Sequence, residues 1–131
     1  MKGIPFLKKF HAKIEACLER NCDLEGLPAD EDYLEIHKLR KMLMFAQIPH
    51  TFTRLFDGWQ VCYPEDRQSD NCVCDAVQHF GSYGSEDDRL ELMGLLSEEE
   101  NEEYGGVLSY LTAQEVFDRI EAHWKNTKAK E

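Results

Sequence analysis

The sequence has no apolar run near the roughly 20 residues that a membrane-crossing helix needs. No signal peptide is expected either: "MKGIPFLKKFHAKIE" sets Lys8, Lys9, His11 and Lys13 where an unbroken apolar core would have to lie. A cytoplasmic location and no membrane partner are therefore expected. Basic charge is scarce, with 15 Lys and Arg against 26 Asp and Glu for a net −11. That argues against direct nucleic-acid binding, which needs a basic footprint. There is no internal repeat and no long linker, so the 131 residues are expected to form one domain, 1–131, around one core. The five cysteines are an odd number that cannot pair completely. In a reducing compartment they serve as small apolar residues.

What is present is an ordinary globular balance, 42% apolar and 31% charged. "IPFLKKFHAKIEACLER" repeats Phe6, Leu7, Phe10, Ile14, Cys17 and Leu18 at three- and four-residue steps, an amphipathic helix with Pro5 in its first turn. "NCDLEGLPAD" connects it to a second helix. That helix starts near Asp30 to Asp32 and runs through Tyr33, Ile36, Leu39, Leu43 and Ala46, stopping before Pro49. Residues 5–48 thus read as a helical hairpin, 50–125 as sheet and C-terminal helices, and 126–131 as a frayed tail.

"HTFTRLFDGWQVCYP" predicts a β-hairpin turning at Asp57-Gly58, which pairs Phe56 with Trp59, Arg54 with Val61 and Phe52 with Tyr63. Phe52, Phe56, Trp59, Val61 and Tyr63 then share one face with Arg54, and that aromatic face packs on the helices. A third strand is expected at 72–80. Ser85 followed by Glu86, Asp87 and Asp88 reads as a helix start, with Leu90 and Met93 buried behind it. Ser97 to Glu100 and Thr112 to Glu115 are capping boxes, the first opening a short acidic turn closed by Gly105-Gly106. "VLSYL" between them is strand-like, and Val116, Phe117, Ile120 and Trp124 stripe the last helix. The fold class is α+β: a small, mainly antiparallel sheet, hairpin plus third strand, with helices packed on one face.

"NCVCDAVQHF" is the stretch closest to a chemical site. Zinc sites want paired C-x₂₋₄-C or H-x₃₋₅-H elements, whereas Cys72 and Cys74 are one residue apart and His79 stands five further on. In an extended strand Cys72 and Cys74 share a face and His79 takes the other. The same parity separates Cys74 from His79 as a nucleophile and base, and four strand residues put Asp75 about 13 Å from His79. A divalent-metal hydrolase or nuclease using Asp57, Asp75 and His79 is the enzymatic alternative. The pattern wants an acid followed two residues on by lysine, and no lysine occurs between Lys41 and Lys125. No catalytic residue, metal or cofactor is assigned on this reading.

"GSYGSEDD" offers helix-start N–H groups to an anion, but its own acids would repel one. It reads as a capped strand-to-helix turn.

Residues 81–104 carry −8 of the net charge. Within them Glu86, Asp87, Asp88, Glu91, Glu98, Glu99, Glu100, Glu102 and Glu103 face a lone cation, Arg89. Helical "EEENEE" carries about one charge per 1.8 Å, close to the ~1.7 Å spacing of duplex DNA. These nine acids are the candidate partner-binding residues, either for a basic groove on another protein or as a merely solvated turn.

Taken together, "GWQVCYP", "QHFGSYGSEDDRLELMGLL" and "GGVLSYLTAQEVFDRI" resemble a family of small uncharacterised proteins encoded by phages and integrated elements of Gram-positive gut bacteria, over roughly residues 39–124. The resemblance implies a genomic setting and no mechanism. With it, the expected function is non-enzymatic binding of a protein partner, as an acidic inhibitor of a nucleic-acid-binding groove. A third reading is a structural subunit, a homo-oligomer joined through an unpaired sheet edge.

Overall fold

The computed structural model describes residues 33–130. The predicted first helix, its connector and the acids at 30–32 lie outside the described residues. Helix α1, Leu34–Phe45, buries Ile36, Leu39 and Leu43 at steps of three and four. It ends in a turn before Pro49, where Ile48 N–H donates back to the Leu43 carbonyl at 3.0 Å.

Five strands follow: β1 Thr51–Leu55, β2 Gly58–Tyr63, β3 Cys74–Gln78, β4 Leu90–Met93 and β5 Val107–Leu111. Helix α2, Glu98–Tyr104, lies between β4 and β5, and helix α3, Ala113–Ala129, follows β5. The strands lie side by side in chain order, each antiparallel to the next. The class is α+β as expected, with five strands in the sheet. Helices α1 and α3 pack against one another. Their apolar stripes meet Val61, Tyr63, Cys74, Ala76, Leu90, Leu92 and Leu111 on one sheet face. Because each connection sends the chain back, the sheet has two ends. The β1–β2 turn and the 79–89 connection share the upper end, while the 64–73 loop and α2 share the lower.

The hairpin turns one residue earlier than its Asp57-Gly58 signal predicts. Leu55 pairs with Gly58, Arg54 with Trp59 and Phe52 with Val61, so Phe56 and Asp57 form the turn. Two tertiary demands explain the slip. A Cβ on Gly58 would sit 1.8 Å from the Gln78 carbonyl oxygen, so this glycine is needed for close approach of β3 rather than for a turn conformation. The Asp57 carboxylate is buried and accepts from Tyr33 Oη at 2.6 Å and Phe80 N–H at 2.8 Å. Phe56 absorbs the cost: it takes φ 54° and is 64% exposed instead of joining the aromatic face. Since the pairing moves by two residues, Phe52, Arg54, Trp59, Val61 and Tyr63 keep their predicted common face.

The helix expected from Ser85 is the second correction. Ser85–Asp87 make a single 3₁₀ turn, which ends at Asp88 with φ 54°. The chain then extends as β4. Leu90 and Leu92 enter the core at period two, and Met93 turns outward. The third strand is also shorter than predicted. Cys72 N–H donates to the Ser69 carbonyl at 3.2 Å, so the chain is turning there and becomes extended at Cys74.

Both capping boxes are present. Ser97 Oγ accepts from Glu100 N–H while Glu100 Oε1 accepts from Ser97 N–H, and Thr112 and Glu115 repeat the exchange. Gly105, at φ 66°, closes α2. Helix α3 continues past the predicted fraying point to Ala129, with Lys128 Nζ 4.7 Å from the Trp124 ring centre. Among the described residues no helix is long and apolar enough to cross a membrane.

Candidate functional site

Three polar side chains tie the upper end of the sheet to the start of α1. Residue Tyr33, before α1, gives the helix no side-chain cap, so its first amides need acceptors from elsewhere. Asp88 Oδ1 accepts from Leu34 N–H at 2.9 Å and Glu35 N–H at 3.1 Å. Gln78, fully buried, accepts from Ile36 N–H at 3.0 Å through Oε1 and donates to Asp88 Oδ1 at 2.7 Å through Nε2. Glu35 in turn accepts from Ala113 N–H at 2.9 Å, serving the start of α3. With the bonds of Asp57 to Tyr33 and Phe80, this network fixes the position of both helices on the sheet.

The enzymatic triad is not assembled. Asp57 is held in that network. Asp75 pairs across the sheet with Cys62, on the face opposite the core, and accepts from Gln60 Nε2 at 2.9 Å. His79 stands at the upper end, past the last residue of β3. Asp57 lies near enough to act on its titration, whereas Asp75 is four residues down the strand. Gly81 N–H donates to His79 Nδ1 at 3.0 Å, and its ring meets Phe56 edge-on at 5.1 Å. Burial holds the His79 pKa below the usual imidazole value, against the upward pull of Asp57 and Glu91.

The thiols separate differently from the expected pattern. Cys74 belongs to the core under the helices. Cys72 is not on the same face: the turn at 69–72 carries its thiol next to Cys62, whose partner Asp75 marks the opposite face. Its Sγ donates to the Cys74 carbonyl at 3.5 Å. Burial pushes the Cys62 thiol up to about 11 and raises Cys72 and Cys74 as well. All three stay protonated at neutral pH and are weak nucleophiles. Among the described residues no group of three or more His, Cys, Asp and Glu side chains could hold a metal ion.

The nine candidate acids fall into two groups, because β4 carries the chain from the upper end at Glu91 to the lower end before Glu98. At the upper end Asp88 caps α1, Glu91 Oε2 accepts from Tyr83 N–H at 2.7 Å, and Glu86 Oε1 accepts from Tyr110 Oη at 3.1 Å. Asp87 is exposed. At the lower end α2 buries no residue at all. It is nonetheless fastened to the body of the protein by Arg119, on α3. Arg119 donates from Nη1 to Glu100 Oε1 at 2.8 Å, from Nη2 to Glu100 Oε2 at 2.6 Å, and from Nη1 to the Leu95 carbonyl at 2.9 Å. Those bonds, with the Ser97 N–H, hold the Glu100 pKa down at about 2. Glu98, Glu99, Glu102 and Glu103 project into solvent and make no ion pair among the described residues. Arg119 is the residue that sequence reasoning missed, since nothing in α3 marks one cation as the anchor for a helix 19 residues earlier.

No family model, curated protein or solved structure matches this chain.

Proposed function

We propose that this is a non-enzymatic binding protein of mobile-element type, an acidic inhibitor that sets α2 into a basic, nucleic-acid-binding groove of a partner protein. One observation carries the reading. Helix α2 buries nothing and contributes nothing to the core, yet it is capped at both ends and clamped by a two-pronged guanidinium. Order without burial costs conformational entropy that the core does not recover. A rigid row of Glu98, Glu99, Glu102 and Glu103 makes sense as a surface prepared for cations, whose binding then needs little further ordering.

The test is a variant with Glu98, Glu99, Glu102 and Glu103 all changed to Gln. A partner isolated on the wild-type protein should release it as salt rises from about 50 to 300 mM, given a Debye length near 10 Å at 0.1 M. The same partner should bind the variant at least tenfold more weakly. Added wild-type protein should also displace a labelled oligonucleotide from that partner. Salt-independent binding, or equal binding by the variant, refutes the proposal.

A further inference from the structure

Among the described residues, the segment that leads from α1 into β1 is basic. From Ile36 to Phe56 there is no Asp or Glu, and Lys38, Arg40, Lys41 and Arg54 all occur in that stretch. In so acidic a chain each could be expected to find a carboxylate, yet among the described residues none of the four makes an ion pair. Two are held in place by rings instead. The Arg40 guanidinium lies 4.5 Å from the Phe52 ring centre and that of Arg54 4.9 Å from Trp59. The two rings stack on each other at 4.5 Å and 8°. This row of cation, ring, ring, cation holds two guanidiniums over aromatic faces, where their N–H groups can still reach a carboxylate.

The row stands along β1, an outermost strand of the sheet. The other outermost strand, β5, is guarded by a register irregularity opposite Leu90–Leu92, a positive φ at Tyr110 and contact with α2. Strand β1 has none of these. Its five residues pair in unbroken register with β2, and Thr53 is exposed. A two-residue turn closes on a hydrogen-bonded pair, Leu55–Gly58, so alternation leaves the N–H and C=O groups of Phe52 and Arg54 pointing outward.

We propose that the β1 edge is a docking site for an extended acidic peptide of another protein, which adds to the sheet as a sixth strand. The main-chain groups of Phe52 and Arg54 supply the strand pairing, and Arg40 and Arg54 take carboxylates at alternate positions of the guest. A second copy of this chain is a poor guest, because it would bring its own Arg40 and Arg54 to the seam.

Fluorescence anisotropy of the full chain with a labelled eight-residue peptide of alternating Glu and Val tests the proposal. Binding should weaken at least tenfold on Arg40→Gln and on Arg54→Gln, the first an exposed helix position that leaves the fold intact. It should be unaffected by neutralising Glu98, Glu99, Glu102 and Glu103, which separates this surface from α2. N-methylating the peptide at every Glu or at every Val should abolish binding in at least one series, since one set of N–H groups must face β1. Undiminished binding by both N-methylated series, tighter binding of single-stranded DNA of equal charge, or binding no better than that of an alternating Lys–Val peptide overturns it.

Discussion

The acids at the upper end of the sheet and the acids of α2 look alike in the sequence and have different duties in the structure. Asp88 and Glu91 accept backbone N–H groups, and Glu86 accepts a tyrosine hydroxyl, so the upper group, apart from the exposed Asp87, is part of the fold's own wiring. In α2 only Glu100 is so employed, and its four neighbouring glutamates face water. A run of carboxylates is therefore not one feature. Its members divide according to whether an orphan backbone donor is within reach, and those left over are the ones open to an outside partner.

The sharpest way to break this division is Asp88→Ala. It strips acceptors from two amides of α1 and strands the buried Gln78 amide, and should cost about 2–3 kcal/mol in urea unfolding. An effect within 0.5 kcal/mol would mean that the upper acids are as dispensable as the lower. A smaller effect follows from releasing α2 with Arg119→Met. The Glu100 carboxyl pKa, near 2 in the wild type, should climb toward its ordinary 4.5, as read by NMR titration. The sign is that of a depressed acid: the clamp stabilises the protein fully above pH 4.5 and is lost as pH falls through about 2. An unchanged titration would mean that the clamp is not the cause. The smallest effect belongs to the quadruple change of Glu98, Glu99, Glu102 and Glu103 to Gln, which should move global stability by no more than about 0.5 kcal/mol. A larger loss would return these residues to the fold.

Features written locally were legible in the sequence. Both capping boxes, the Gly105 stop, the "VLSYL" strand and the apolar stripe of the last helix depend on residues within a few positions of one another. The aromatic face of the hairpin also emerged, because parity survives a two-residue change of pairing. Tertiary demands account for what was misread. Asp57-Gly58 has the composition of a turn, but Gly58 is claimed by the Gln78 carbonyl and Asp57 by Tyr33 and Phe80. Ser85 and its acids imitate a helix start, while "LELM" becomes a strand because β3 and β5 lie on either side of it. Of the candidate residues, the exposed glutamates of α2 could be named in advance but not told apart from Asp88, whose contacts lie more than 50 positions away.

That remote cap has a consequence for biosynthesis. As the chain leaves the ribosome, α1 emerges well before residues 78 to 88, and its leading amides lack their Gln78 and Asp88 acceptors until those residues follow. The helix can flicker during translation but acquires its permanent acceptors only when the connection into β4 arrives. A nascent chain halted before Phe80 should therefore be recognised by chaperones as unfinished, and the core can close only once α3, with Val116, Phe117 and Ile120, has also emerged.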